Sequence, residues 1–292
     1  EINQDFLLSF AKKVSDFDVN ALAGFNYNER TYSSVETTVT GLDIPTWYNL
    51  SNSANTPKVV EYSYRRRLMG VFGQIDLAWK NMLYVTATAR NDWSSTLPKG
   101  NRSFFYPGVT GSFVFTEVLP ESLRNVLTFG KIRAAYGKTG NDASPYMIDP
   151  IYAQALASGS GFPDTEVTFP LQGTNAFSLG NTLGNASLSP EITTEYEVGL
   201  NVALWNGRVS LDAAYYNRNS DKQIFSLNMD PASGYTAQNI NLGKIENKGI
   251  ELLLSVRPIE TKDFSWDLSW NFTKNNSNFF LYTSDVADYL SC

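Results

Sequence analysis

The sequence predicts an all-β fold: a segment of a transmembrane antiparallel β-barrel with about ten strands. Three observations predict it. Alternating polarity recurs along the whole chain. The composition suits strands with one greasy face and one wet face. The connections alternate between short and long.

Successive side chains of a strand point to opposite faces. Between 16 and 30, Phe17, Val19, Ala21, Ala23, Phe25 and Tyr27 share one face. Asp18, Asn20, Gly24, Asn26 and Asn28 share the other, with Leu22 as the apolar exception. Between 82 and 93, Leu83, Val85, Ala87, Ala89 and Trp93 oppose Tyr84, Thr86, Thr88, Arg90 and Asp92. Further on, Tyr196, Val198, Leu200, Val202 and Leu204 oppose Glu195, Glu197 and Asn201. Near the end, Phe264, Trp266, Leu268, Trp270 and Phe272 oppose Ser265, Asp267, Ser269, Asn271 and Thr273. Strands are expected over 4–12, 16–30, 65–79, 82–93, 104–116, 127–138, 194–205, 208–219, 248–257 and 264–275. Many exceed the roughly five or six residues usual in globular proteins.

Short connections are expected at 13–15, 80–81, 117–126, 206–207 and 258–263, with a short helical turn near 120–125. Asn206 and Gly207 form a two-residue hairpin signal, because both tolerate positive φ. Long connections are expected at 31–64, 94–103, 139–193 and 220–247. Outer-membrane barrels pair short periplasmic turns with long external loops, so the long loops are assigned to the outside. Trp79 and Trp205 lie at short-turn ends, and Trp93 and Tyr215 lie toward long-loop ends, where interfacial girdles form. A soluble β-sandwich also alternates, but it does not predict long loops at one end only.

Aromatics make up 14% of the chain and charged residues only 18%, against roughly 25% charged in soluble domains. A net charge of −6 argues against nucleic acid as a partner, which needs a concentrated basic face. There is no His, so histidine acid–base chemistry and His-ligated metal are excluded here. Cys292 is the sole cysteine, so no internal disulfide forms. No apolar run reaches the roughly 18 residues of a membrane-spanning helix, whereas a barrel strand needs only alternation.

Asp16, Asp18 and Asn20 resemble the start of a calcium loop, but Ala21 and Tyr27 stand where Gly and Glu are required. Glu195 and Glu197 share a face, as paired catalytic carboxylates do, yet a polar lumen explains them as well. No nucleophile or phosphate-loop motif is present. The expectation is no enzyme, no cofactor and no metal.

Several motifs resemble the SusC/RagA family of TonB-dependent transporters. They are "RNDWSSTLPKGNRSFFYPGVTGSFVFTE" (90–117), "KIRAAYGKTGN" (131–141), "LSPEITTEYEVGLNVALWNGRVSLDAAYYNRNSDKQIF" (188–225) and "NLGKIENKGIELLL" (241–254). Together they span most of 65–275 in family order. The resemblance implies a 22-strand barrel, an N-terminal plug, and a TonB box coupling to the inner-membrane TonB complex. It also implies a SusD-like surface lipoprotein as lid, and import of oligosaccharides or peptides in Bacteroidetes-type bacteria. The runner-up is a passive porin or structural outer-membrane barrel. On this reading 1–275 is a partial barrel and 276–292 begins the next external loop, truncated. Glu1 runs almost at once into a strand pattern, so upstream sequence is expected.

Two groups of residues are candidates for binding. Arg65, Arg66 and Arg67 open a strand at its outer end, and Arg67 shares the parity of Val71 and Ile75, so it faces outward. Arg65 and Arg67 are candidates for contact with lipopolysaccharide phosphates; the alternative is a solvated charge run. Trp47, Tyr48, Tyr146, Tyr152, Phe162 and Tyr235, with Phe169 and Phe177, are candidates for substrate contact; they equally suit loop cores or lid docking. The 139–193 loop has about 55 residues, far beyond ordinary connections, and is expected to gate or capture at the external mouth. Its glycines are expected to act as joints.

Overall fold

Where the alternation runs, the backbone is extended. The computed structural model describes residues 1–154, 156–158, 166–169 and 171–281. Its strands are β1 (Ile2–Val14), β2 (Phe17–Thr38), β3 (Lys58–Trp79), β4 (Leu83–Ser94), β5 (Ser103–Val114) and β6 (Leu127–Asn141). Five short ones follow: β7 (Tyr152–Gln154), β8 (Leu156–Ser158), β9 (Glu166–Thr168), β10 (Phe177–Leu179) and β11 (Thr182–Leu183). The rest are β12 (Glu191–Leu204), β13 (Val209–Asp221), β14 (Ile224–Asn228), β15 (Ala237–Asn241), β16 (Lys244–Glu260) and β17 (Ser265–Phe280). A single helical turn, α1 (Glu121–Arg124), starts after Pro120 in the expected short connection.

The ten long strands form one antiparallel sheet in the order β1-β2-β3-β4-β5-β6-β12-β13-β16-β17. The register keeps parity throughout. Phe10, Ala21, Ile75, Ala87, Val109, Tyr136 and Tyr196 pair in a continuous row across the apolar face. Asn20, Asp76, Thr86, Thr110, Ala135, Glu197 and Tyr216 make a matching row on the polar face.

The apolar face is the uncovered one. Leu8 is 75% exposed, Val198 56% and Trp270 55%. A water-soluble sandwich would bury this face against a second sheet. Instead, the buried hydrophobics among the described residues are Leu97, Phe104, Val114, Ala143, Leu188 and Leu242, at strand ends and in loops. An apolar band of this extent needs lipid.

Three local features differ from expectation. First, β2 and β3 continue through Thr38 and from Lys58, with unbroken pairing from Phe17↔Trp79 to Thr38↔Lys58. At about 3.3 Å per residue the hairpin reaches roughly 70 Å, well beyond an apolar band of about 25 Å. Beyond the lipid neither face is apolar, so alternation fades while Tyr, Thr and Val still favour strand. Second, the hairpin at Asn206 and Gly207 is four residues long, closing at Leu204↔Val209. Trp205 joins Asn206 and Gly207 at positive φ, so three residues, not two, make the bend. Third, β17 runs to Phe280, so residues 276–280 continue the strand before any loop begins.

The long loops carry their own pairing. β7 pairs with β10, and β8 with β9. β14 and β15 form a hairpin, and β11 joins β15 in parallel. These strands have only two to five residues, too few for alternation to register in sequence.

Candidate functional site

The polar face of the sheet and the loops at its long-loop end form the candidate site. Strand parity delivers charges to this face, and cross-strand neighbours pair them. Arg133 on β6 donates to Glu197 at 3.2 Å, Asn201 at 2.7 Å and Asp212 at 3.0 Å. Arg218 meets Glu195 at 2.6 Å. Arg90 donates to Asp92 at 2.8 Å, and Tyr106 also donates to that carboxylate. Thr86 donates to Asp76 at 2.7 Å, and Gln74 donates to it at 2.8 Å. The two glutamates singled out for acid–base work therefore each engage an arginine. The result is a hydrophilic wall in which the arginines are paired and carboxylates are in excess. Asp18 and Asn20, the calcium-like pair, sit in β2 opposite Ala78 and Asp76. Among the described residues no three His, Cys, Asp or Glu side chains converge as a metal site.

At the long-loop end, loop segments fold onto the polar face. Leu97, Phe104, Ala143 and Leu188 make a small core, backed by Leu68, Tyr106, Met147, Ile148 and Ile224. Leu68 and Tyr106 belong to the polar-face parity, so this core lies inside the wall rather than outside it. Asp142 fixes the loop base. Arg66 donates to it at 2.9 and 2.6 Å, Thr96 at 3.1 Å and Ser94 at 2.5 Å. Burial pushes the Asp142 carboxyl up, but these donors and the Arg66 charge outweigh burial and hold it below its ordinary value.

Loops also tie to one another. Asn101 donates to the Ser187 and Leu188 carbonyls at 3.0 and 3.1 Å. Asn239 donates to the Met147 carbonyl at 3.3 Å, and the Asn181 carbonyl accepts from Thr236 N at 2.8 Å. The glycine joints expected here are partly packing sites. A Cβ on Gly184 would meet the Asp149 backbone at 2.6 Å, and one on Gly140 the Phe104 ring at 2.4 Å. These two let segments approach rather than swing. Gly159 and Gly161 lie outside the described residues.

The expected aromatics are dispersed. Trp47 and Tyr48 occupy the turn joining β2 and β3, where buried Asn52 donates to the Ile44 and Trp47 carbonyls at 2.8 and 2.7 Å. That turn displays Tyr48, which is 86% exposed. Tyr146 and Tyr152 are exposed on the next long loop. Tyr235 is half-buried between β14 and β15. Phe162 lies outside the described residues. No ring contact joins any two of the described residues Trp47, Tyr48, Tyr146, Tyr152 and Tyr235.

One group escaped the sequence reading. Tyr32, Tyr62 and Tyr64 cluster on the polar-face side of the extended β2–β3 hairpin. Tyr32 stacks on Tyr64 at 5.3 Å between centroids, and Tyr62 lies 6.3 and 6.1 Å from them. The signal was there: all three continue the even parity of Asn28 and Arg30 once the strand is extended.

The arginine triplet divides by parity. Arg66 turns to the polar side and Asp142, while Arg65 and Arg67 lie on the apolar-face side, where Glu29 receives both at 2.6 and 2.9 Å. The Glu29 partner was not anticipated.

The family described as "TonB dependent receptor-like, beta-barrel" matches residues 3–290. TonB-dependent receptor P3 of Formosa agariphila is 29% identical over 277 residues, covering 92% of this chain and 26% of the relative. TonB-dependent receptor SusC of Bacteroides thetaiotaomicron is 29% identical over 250 residues, covering 83% of this chain and 24% of the relative. The chain thus spans about a quarter of the length of these relatives. Among solved structures, the RagAB peptide transporter superposes with a TM-score of 0.78 at 22% identity, over 96% of this chain and 30% of that one.

Proposed function

From a chain that belongs to the TonB-dependent receptor-like β-barrel family of the outer membrane, we propose that it supplies ten strands and the mouth of an importer for oligosaccharides or peptides. The long loops lie outside the cell and the short turns in the periplasm. A SusD-like surface lipoprotein covers the mouth, and the TonB complex drives opening through a part of the protein outside these residues. Trp47, Tyr48, Tyr146, Tyr152, Phe162 and Tyr235 are assigned to contact with substrate or lid. The tyrosine cluster on the β2–β3 hairpin adds a platform on the same side.

The observation that carries this reading is the loop core built on the polar face. A wall that merely closes a pore needs no loops folded inward over its end. Here Leu188 is fully buried against Leu97 and Phe104, and Asp142 locks the base. Such anchoring holds the remaining loop where a large solute must pass.

The test uses the complete transporter. Deleting residues 145–185 is expected to leave barrel level intact while lowering lid association and uptake of the native oligomer. Barrel level, lid association and uptake all at wild-type values would remove the assignment. A second arm uses cells lacking TonB. Uptake there is expected to stop; undiminished uptake would make this a passive porin.

A further inference from the structure

The apolar-face side of the wall carries a cationic groove at its long-loop end. Register sets Thr31 opposite Arg65, Glu29 opposite Arg67, Tyr27 opposite Met69, and Met69 opposite Trp93. A cavity of about 490 Å³ opens there, lined by Arg67, Met69, Trp93, Ser94, Ser95 and Arg102. Its floor is apolar and its rim carries guanidinium groups. The backbone is held firmly: Arg67 N donates to Ser95 Oγ at 2.8 Å, Ser95 N to the Arg67 carbonyl at 2.9 Å, and Ser94 N to the Arg102 carbonyl at 3.0 Å.

Charge on this rim is unbalanced. Glu29 accepts from Arg65 Nε and Arg67 Nε, each at 2.9 Å, and from Tyr27 at 2.7 Å. Arg65 also offers Nη2 at 2.6 Å. Arg67 commits only Nε, so both its Nη groups remain available among the described residues. Arg102 is exposed and makes no ion pair among the described residues. Two guanidiniums thus share one carboxylate, and a third, that of Arg102, lines the cavity with Arg67 and has no ion pair among the described residues. Glu29 holds the first two side by side on its two carboxylate oxygens, and planar guanidiniums suit the oxygens of a phosphate.

The geometry points to a binding site for the phosphate-bearing head group of an outer-leaflet glycolipid, lipopolysaccharide in chemical class. The phosphate sits between Arg67 and Arg102, and the acyl chains run over Met69, Val71 and Phe105. These three are 42%, 49% and 59% exposed. A free anion would have no use for that apolar floor, whereas an anionic amphiphile matches both halves. Trp93 sits at the junction, as interfacial tryptophans do. The site rests on the long loops being external, and it is separate from the route of the transported solute.

The experiment is lipid binding to the complete purified transporter, read by native mass spectrometry. Three probes are used: the outer-leaflet glycolipid, the same lipid after enzymatic dephosphorylation, and inorganic phosphate. Wild-type protein is expected to hold the intact lipid and to lose about tenfold in affinity for the dephosphorylated form. Inorganic phosphate at equal concentration is expected not to displace the lipid. R67Q/R102Q is expected to match that loss, with R67K/R102K retaining part of the binding. Equal binding of both lipid forms by wild-type protein would overturn the site, whatever the variants do. Displacement by inorganic phosphate would overturn the lipid assignment. Substrate uptake is measured separately, so failure here and failure of the transport reading are distinguishable.

Discussion

Val85 and Thr86 are chain neighbours on β4, yet they face opposite sides of the sheet. Val85 pairs with Leu77 in the apolar face, and Thr86 donates to Asp76 in the polar one. Arginine at Val85, Leu200 or Leu211 is therefore expected to lower the amount of folded barrel, since a mid-bilayer arginine costs about 2–4 kcal/mol. The same change at Thr86, Asn201 or Ser210 is expected to lower that amount less. The heat-dependent shift of the folded barrel on a gel reads the difference, and equal effects on both sets would refute the facing. Asp142→Asn removes a charge acceptor from three donors and is expected to loosen the loop base by about 1–3 kcal/mol. Hydrogen exchange around 142–148 checks it. The pH dependence has a definite sign. The folded carboxyl titrates below 3.8, so its stabilisation is complete above that value and disappears as pH falls through the folded pKa. Loop-base protection should be flat at neutral pH and lost only in strong acid.

Individual elements show what sequence can and cannot carry. All ten wall strands were legible, because lipid on one face and water on the other impose a period of two. Alternation stops where lipid stops, so the outer third of β2 and of β3 carries no strand pattern, and Tyr32, Tyr62 and Tyr64 do not stand out as a cluster. Strands β7 to β11 and the β14–β15 hairpin are illegible for a different reason: they have only two to five residues, too few for alternation to register, and β11 is held by a partner in another loop. Parity did separate Arg66 from Arg65 and Arg67, but the partners Asp142 and Glu29 depend on register. An element-scale prediction follows from the β2–β3 ladder. Replacing residues 34–62 by Asn-Gly should close the hairpin at Ser33↔Ser63. Barrel level is expected to hold, because the apolar rows below are untouched, while capture of substrate falls. Loss of folded barrel would show instead that the projecting hairpin supports assembly.

For the molecule as a whole, the sheet has two open borders. Among the described residues β1 has β2 as its only sheet neighbour and β17 has β16. Unpaired strand edges are not tolerated in hydrocarbon, where water cannot satisfy their backbone groups. These 292 residues expressed alone are therefore expected not to give a heat-shifted barrel band in lipid vesicles, whereas the complete transporter does. A stable, protease-resistant band from this chain alone would mean that the borders find another partner, such as a second copy.

The parallel pairing of Thr182 with Ala237 joins the loop between β6 and β12 to the one between β13 and β16. The two are inherited as separate stretches of gene but folded as one object. Recombination that imports one from a homologue and leaves the other behind breaks a shared ladder, so transplantation should succeed only when both travel together. Substrate preference in such a receptor would then pass between lineages as a matched pair of cassettes.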